Sequence, residues 1–486
     1  MAVRIPARRE IRDLPGPRGL PLLGSLHSFR LHDVHLVVER WCERYGALYT
    51  FRAGLRRYVV VSDREAANAL LRERPQGFRR QREVEAVYRE LRFHGVFSVE
   101  GEDWRRQRRL AVTALNSNRL HSHFHIIRTA TERLRRRLKA AAREGQPIEI
   151  QRDLTSYTVD ITTALAFGVD VNTLERGEDE LQRNIQFAFE MLGRRVLLPI
   201  PYWRWIQLPA DRRLKRALAA LEVAVRDFID QARRQLDRHP ERREEPTNFL
   251  EAMLAAQSSD GSFDDEEVFG NTMTLLFAGE DTTAHSMAWA LWYLAREPEV
   301  RERWAQEAAE VLGEEPVPPD HETVGRLHYG DAVLRESMRL KAVAPALMHE
   351  PLADVEIAGV RIPAQTRIVI PTRHINREAG GPEFDPDRWL EGDRTPDQRS
   401  FLAFGAGPRF CPGRNLAMLE ARSAMAMIAR DFELELDESG GPVQEHYGFV
   451  MVPRGLKVRL RERKPERFTA PTGSGAGATT SPGPSG

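Results

Sequence analysis

No proline interrupts the chain between residue 264 and Pro298, and the pattern of apolar positions predicts one very long helix over 264–296, opened by a capping box of Ser262 with Asp265. Its middle is apolar nearly all round, through Met273, Leu275, Leu276 and Phe277 and then Met287, Trp289 and Leu291, so the helix has to run through the core. Into that core the sequence places Gly279, Glu280, Asp281, Thr282 and Thr283. A mid-helix glycine costs about 1 kcal/mol against alanine, and an unpaired buried carboxylate costs several more. Local rules broken in this way mark a place where function is expected.

The rest of the chain reads as one mainly α unit with small β-sheets. Length alone, 486 residues, would allow several domains, but apolar density is even from about 14 to about 462, with no repeat and no long linker. The expected division is a leader over 1–13, one large folded domain over 14–466 and a disordered tail over 467–486, whose TAPTGSGAGATTSPGPSG end has too little apolar content to order itself. Helical spacing recurs in 34–45, 123–143 and 213–236; a hairpin turns at Gly54 between 48–51 and 58–61, and short strands fit 355–362 and 366–370. Lys+Arg 72 against Asp+Glu 71 gives no reason to expect nucleic acid. Cys42 and Cys411 are too few for a disulfide scaffold, and no apolar run reaches the length of a membrane span, so the expectation is a soluble protein of the cytoplasm.

The strongest signal is the run Phe404-Gly405-Ala406-Gly407-Pro408-Arg409-Phe410-Cys411-Pro412-Gly413 ahead of a helical pattern over 414–430. It reads as a glycine-rich loop delivering a cysteine to a helix start, where the helix amino end and nearby N–H groups favour a thiolate. Gly405, Gly407 and Gly413 let backbone approach something flat and bulky.

This run resembles the haem-binding signature FxxGxRxCxG of the cytochrome P-450 family at every defined position. The resemblance implies haem b with Cys411 as axial iron ligand, Phe404 and Gly405 beside it, Gly413 after it, and Arg409 on a propionate. A thiolate ligand donates electron density and favours O–O cleavage. Three further stretches in the expected order extend the resemblance over roughly residues 14 to 462. Ala278-Gly279-Glu280-Asp281-Thr282-Thr283 is similar to the family's oxygen-activating stretch, which implies that Ala278, Gly279 and Thr282 line a groove over the iron, that Asp281 relays protons and that the Thr282 hydroxyl holds water. Glu336 and Arg339 match ExxR, with Arg388 completing a charge-paired lock. Trp104 and Arg108 match WxxxR and would meet propionates. At His349 many relatives carry arginine, and a histidine there keeps its charge only conditionally.

The activity implied is monooxygenation of an apolar molecule (a fatty acid, terpenoid, steroid or polyketide-like compound) with electrons from NAD(P)H through a separate ferredoxin or flavodoxin and its reductase, docked near Arg105, Arg106 and Arg109. A peroxide-using or oxygen-independent enzyme, or a haem sensor without turnover, would dispense with Asp281 and Thr282. By position in the resemblance Phe277, Val343, Ala346, Leu347, Phe449 and Val450 face the substrate, with parts of 84–98 and 184–198. Cys42 sits in an apolar helical stripe and reads as a small buried hydrophobe. His121, His123 and His125 read as a surface cluster, since only His121 and His125 would share a helix face and no further ligand is near. Arg133, Arg135, Arg136 and Arg137 read as a solvated face.

Overall fold

The computed structural model describes residues 9–177, 180–261, 263–390 and 401–464. The long helix spans Asp265–Arg296. Its cap is formed two residues later than expected: Asp264 accepts from the Glu267 N–H (2.7 Å) and Glu267 accepts from the Asp264 N–H (3.1 Å). Asp-x-x-Glu satisfies the same orphan donors as the expected pair, and Arg106 holds Glu267 in place from a neighbouring helix. Ser262 and the tail over 467–486 lie outside the described residues.

Two apolar cores meet on this helix. Val268, Phe269, Met273, Leu276 and Phe277 belong to one, built with helices Glu180–Leu197, Pro209–Arg238 and Phe249–Asp260. Ala284, Met287, Ala288, Leu291 and Leu294 belong to the other, built with Phe124–Glu144, Ile150–Phe167, His328–Leu340 and Arg414–Asp431. The polar stretch 278–283 therefore falls between the cores.

The sheets are small. The largest has the order 48–53, 56–61, 367–370, 347–351 and 78–80, its first two strands being the expected hairpin, with Gly54 at φ +61°. Its last pairing sets Arg80 opposite His349. Strands 355–357 and 360–362 form a second hairpin, joined by 9–10. Pro15 accepts from the Thr50 N–H (2.9 Å), which ties the proline-rich N-terminal segment to the large sheet. Among the described residues no helix is long and apolar enough to cross a membrane.

Candidate active site

In the largely buried middle of the long helix, Ala278 is exposed and Thr282, one turn later on the same face, is half-buried. Both therefore keep accessible surface midway along the helix, where the two cores meet. The Thr282 hydroxyl donates to the Ala278 carbonyl (3.1 Å), which leaves its lone pairs able to accept. Asp281 is buried, and burial holds its carboxyl above the usual range while His285, Nδ1 3.9 Å from Oδ1, pulls the other way. Glu280 is fully buried with neither oxygen hydrogen-bonded, and burial raises its carboxyl well above the ordinary value. Its surroundings favour the uncharged form.

Gly279 does not open the groove as expected. A Cβ there would lie 2.2 Å from Thr162 Oγ1, so the glycine is needed for close approach to helix Ile150–Phe167. The local cost of a mid-helix glycine is met by helix packing rather than by the site.

The cysteine loop folds as its glycines allow: Gly405 and Gly407 sit at φ +73° and +69°, and a Cβ on Gly407 would strike the Leu71 carbonyl. Gly413 sits at φ −82° and its Cβ would meet only Cys411 Sγ, at 3.9 Å. The Cys411 N–H donates to the Phe404 carbonyl (2.9 Å), closing the loop beneath a partly buried Phe404. Cys411 is enclosed by protein yet keeps accessible surface, the same signature as Ala278. Burial raises its pKa, and the Gly413 N–H, Arg108 and Arg414 oppose that without reversing it. The N–H groups at the helix start favour the thiolate as expected, but desolvation outweighs them. A coordinated metal cation would deprotonate the thiol outright.

Beside this loop lies a cationic cluster. Arg409 pairs with Glu100 Oε2 (2.9 Å), donates to the Val99 carbonyl and lies over the Trp104 ring, 4.6 Å from its centroid. Arg74 pairs with Glu100 Oε1 (2.9 Å) and with His349 Nε2 (2.7 Å). Arg108 donates to the Phe410 carbonyl (2.7 Å). Burial and mutual repulsion push Arg409 down to about 9 and Arg74 to about 10, and with Arg80 they hold His349 well below its ordinary value. His349 is therefore neutral: its Nε2 accepts from Arg74, so the proton sits on Nδ1, buried and without a partner. Nε of Arg74, Arg80 and Arg409 is likewise buried and unpartnered. Three arginines share Glu100, Arg74 and Arg409 through their guanidinium groups and Arg80 through its backbone N–H, while Arg108 lies near Arg409. The donor set fits a group bearing carboxylates.

Arg74, Arg80 and Glu100 went unnoticed in the sequence. Their role depends on strand pairing with His349, and no local pattern encodes that pairing.

Behind the loop, the Glu336 carboxylate takes five donors: Arg339 Nε and Nη2 (both 2.8 Å), Arg388 Nε (3.0 Å), Trp389 Nε1 (2.9 Å) and the Asp385 N–H (3.0 Å). Trp389 packs edge-on to Phe401, and Phe401 packs edge-on to Phe404, so the lock reaches the cysteine loop through two aromatic contacts.

The expected substrate residues separate. Phe277 and Phe449 join one aromatic cluster, while Val343 packs beside Trp289, Tyr447 and Met451. Val450 is buried. Ala346 and Met348 line an apolar cavity of about 290 Å³. Leu347 instead packs under the large sheet, because strand alternation turns it away from the face that Met348 presents.

Cys42 is buried with its thiol pushed up to about 12, an inert packing residue. The helix carrying His121 ends at Ser122, so His121 and His125 share no continuous face, and His121 stacks on His321 instead. No cluster suited to a metal ion occurs among the described residues. Arg133, Arg135, Arg136 and Arg137 each pair with an acid; Arg136 and Arg137 are exposed as expected, whereas Arg133 and Arg135 are half-buried.

A profile of the family described as Cytochrome P450 matches residues 14–460. The chain is similar to Cytochrome P450 3A27 of Oncorhynchus mykiss, 26% identical over 94% of this chain and 92% of that protein. It is also similar to Putative cytochrome P450 CYP13A3 of Caenorhabditis elegans (25%, covering 93% and 94%) and Cytochrome P450 3A6 of Oryctolagus cuniculus (25%, covering 87% and 86%). Matched over nearly its whole length, the chain belongs to the cytochrome P450 family, oxidoreductases that use haem b with electrons drawn from NAD(P)H through redox partners.

Proposed function

We propose that this protein is a haem-thiolate monooxygenase of the cytoplasm acting on an apolar small molecule, with a ferredoxin or flavodoxin as electron donor. The observation that carries the reading is the uncovered surface left inside the fold at Ala278, Thr282 and Cys411, beside a cationic cluster short of carboxylates. Cys411 would hold the iron. Arg74, Arg80, Arg108, Arg409 and His349 would hold the propionates, with Trp104 as the platform under Arg409. When bound, haem supplies dioxygen activation, one atom going to substrate and the other to water.

The protein's own part is proton delivery. Burial keeps a proton available on Asp281 closer to neutral pH than on an exposed carboxyl, and Thr282 holds the water that receives it. Thr282→Ala should keep its haem yet lower product formed per electron consumed by about tenfold or more. Oxygen consumption measured against product gives that ratio. Full coupling in the variant would contradict the proton route.

The electron donor would dock near helix Gly101–Ala114, but its arginines differ in what they are free to do. Arg106 is committed to Glu267 and Asp103, and Arg105 pairs with Glu102, whereas Arg109 is exposed. Arg109→Glu with Arg105→Glu should slow reduction by an acidic ferredoxin about tenfold at low salt, and much less at high salt. Stopped-flow reduction tests this, and equal rates at low salt would remove this face from consideration.

A further inference from the structure

Six aromatic rings from five separate segments close on one another next to the exposed Ala278. They are Tyr88 of helix Arg82–Glu90, Phe93 and Phe97 of the following loop, Phe189, Phe277 of the long helix and Phe449 of the turn before strand Met451–Arg454. Phe93 meets Phe277 at 5.1 Å and 84°, Phe93 meets Phe97 at 5.8 Å and 83°, and Phe97 meets Phe449 at 6.2 Å and 78°. Phe189 lies 4.9 Å from Phe277 and 5.3 Å from Phe449. Tyr88 meets Phe449 at 6.1 Å and 89°.

The arrangement is built in. The Val96 N–H donates to Asn271 of the long helix (2.8 Å), which fixes the loop bearing Phe93 and Phe97. Gly193 lets Phe449 reach Phe189, since a Cβ there would lie 2.2 Å from the Phe449 nitrogen. Outside the cluster the Arg80 guanidinium lies 4.2 Å from the Phe97 ring centroid and 5.2 Å from that of Tyr88. The cluster borders the candidate site: Phe277 precedes Ala278, and Val99, two residues beyond Phe97, receives Arg409.

Four of the eight contacts among these rings set edge against face, an electropositive edge meeting an electronegative face, and the other four are tilted. A molecule entering among these rings replaces some of these contacts. A flat ring system restores them, whereas a saturated one of equal size restores only apolar burial. Phe97 and Phe449 are the rings able to yield, being half-buried on a loop and a turn, while the other four are buried.

We propose that this cluster is the specificity surface of the site and selects planar fused-ring aromatic substrates over saturated molecules of the same carbon skeleton. This narrows the apolar substrate given above and rests on the monooxygenase reading for the fate of the bound molecule.

The test has a sign that burial alone cannot produce. Perhydrophenanthrene is the more hydrophobic of the pair, so area removed from water would favour it over phenanthrene. Equilibrium dialysis of the haem-loaded full chain against each compound should instead show phenanthrene bound about tenfold more tightly. In Phe97→Leu and in Phe449→Leu, each preserving apolar bulk, that preference should fall to about threefold or less, with affinity for perhydrophenanthrene nearly unchanged. Equal or tighter binding of the saturated compound to the wild type, or an undiminished preference in the variants, would overturn the proposal. Two variants on different segments keep the test available if one folds poorly. A protein that shows the preference but lacks a thiolate-type carbon monoxide spectrum would overturn the monooxygenase reading alone. One with that spectrum and no preference would overturn this proposal alone.

Discussion

Glu336→Ala is expected to destabilise the protein by about 3–5 kcal/mol, the range seen when one partner of a buried ion pair is removed. Against a typical total of about 5–15 kcal/mol, that is a large share of the stability. Glu336 is fully buried and Arg339 nearly so. Without the carboxylate, Arg339 keeps backbone acceptors at Gly381 (2.7 Å) and Glu383 (2.9 Å) but no counter-charge there, and Trp389 and the Asp385 N–H lose their acceptor. The damage should spread along a defined path. Trp389 supports Phe401, Phe401 supports Phe404, and Phe404 accepts the Cys411 N–H. Haem content should therefore fall with stability, although Glu336 would touch no haem atom. Denaturant unfolding and haem content of the purified variant check this. A midpoint near that of the wild type, with full haem, would show that the lock is dispensable.

Features encoded within one stretch of chain were legible in the sequence. The long helix follows from its unbroken apolar pattern, and the cysteine loop follows from glycines that the observed φ angles require at 405 and 407. Glu336 and Arg339 are three residues apart, so their pairing is local. Features that depend on two distant segments were not legible. Gly279 was assigned to the groove because nothing in the sequence shows that Thr162 approaches it. Leu347 was placed in the pocket because a strand's facing is fixed by its partner: pairing with 367–370 sets Leu347 opposite Ile370 and turns it under the sheet. Arg74 and Arg80 gain their meaning only when strand 78–80 pairs with strand 347–351 and brings them to His349. The capping error is of another kind, since two overlapping Ser/Asp and Asp/Glu pairs compete there and Arg106 favours the second.

Cys411 carries the central claim, and its replacement has the most absolute expected outcome. Burial raises the Cys411 pKa, outweighing the Gly413 N–H, Arg108 and Arg414, which lower it. Only a cation at the sulfur reverses that balance. Cys42, on a helix against the large sheet and inert through burial, cannot take over the role. Cys411→Ala removes the ligand and leaves the arginine cluster, so the variant should retain some affinity for haem while losing every thiolate property.

The most direct measurement is the carbon monoxide difference spectrum of the dithionite-reduced protein, wild type beside Cys411→Ala. A long-wavelength Soret band in the wild type that disappears in the variant is the result predicted for a thiolate opposite carbon monoxide. A wild-type protein that is folded but binds no haem, or whose band is of the histidine-ligated kind or survives the substitution, would contradict the assignment of Cys411 and the function built on it.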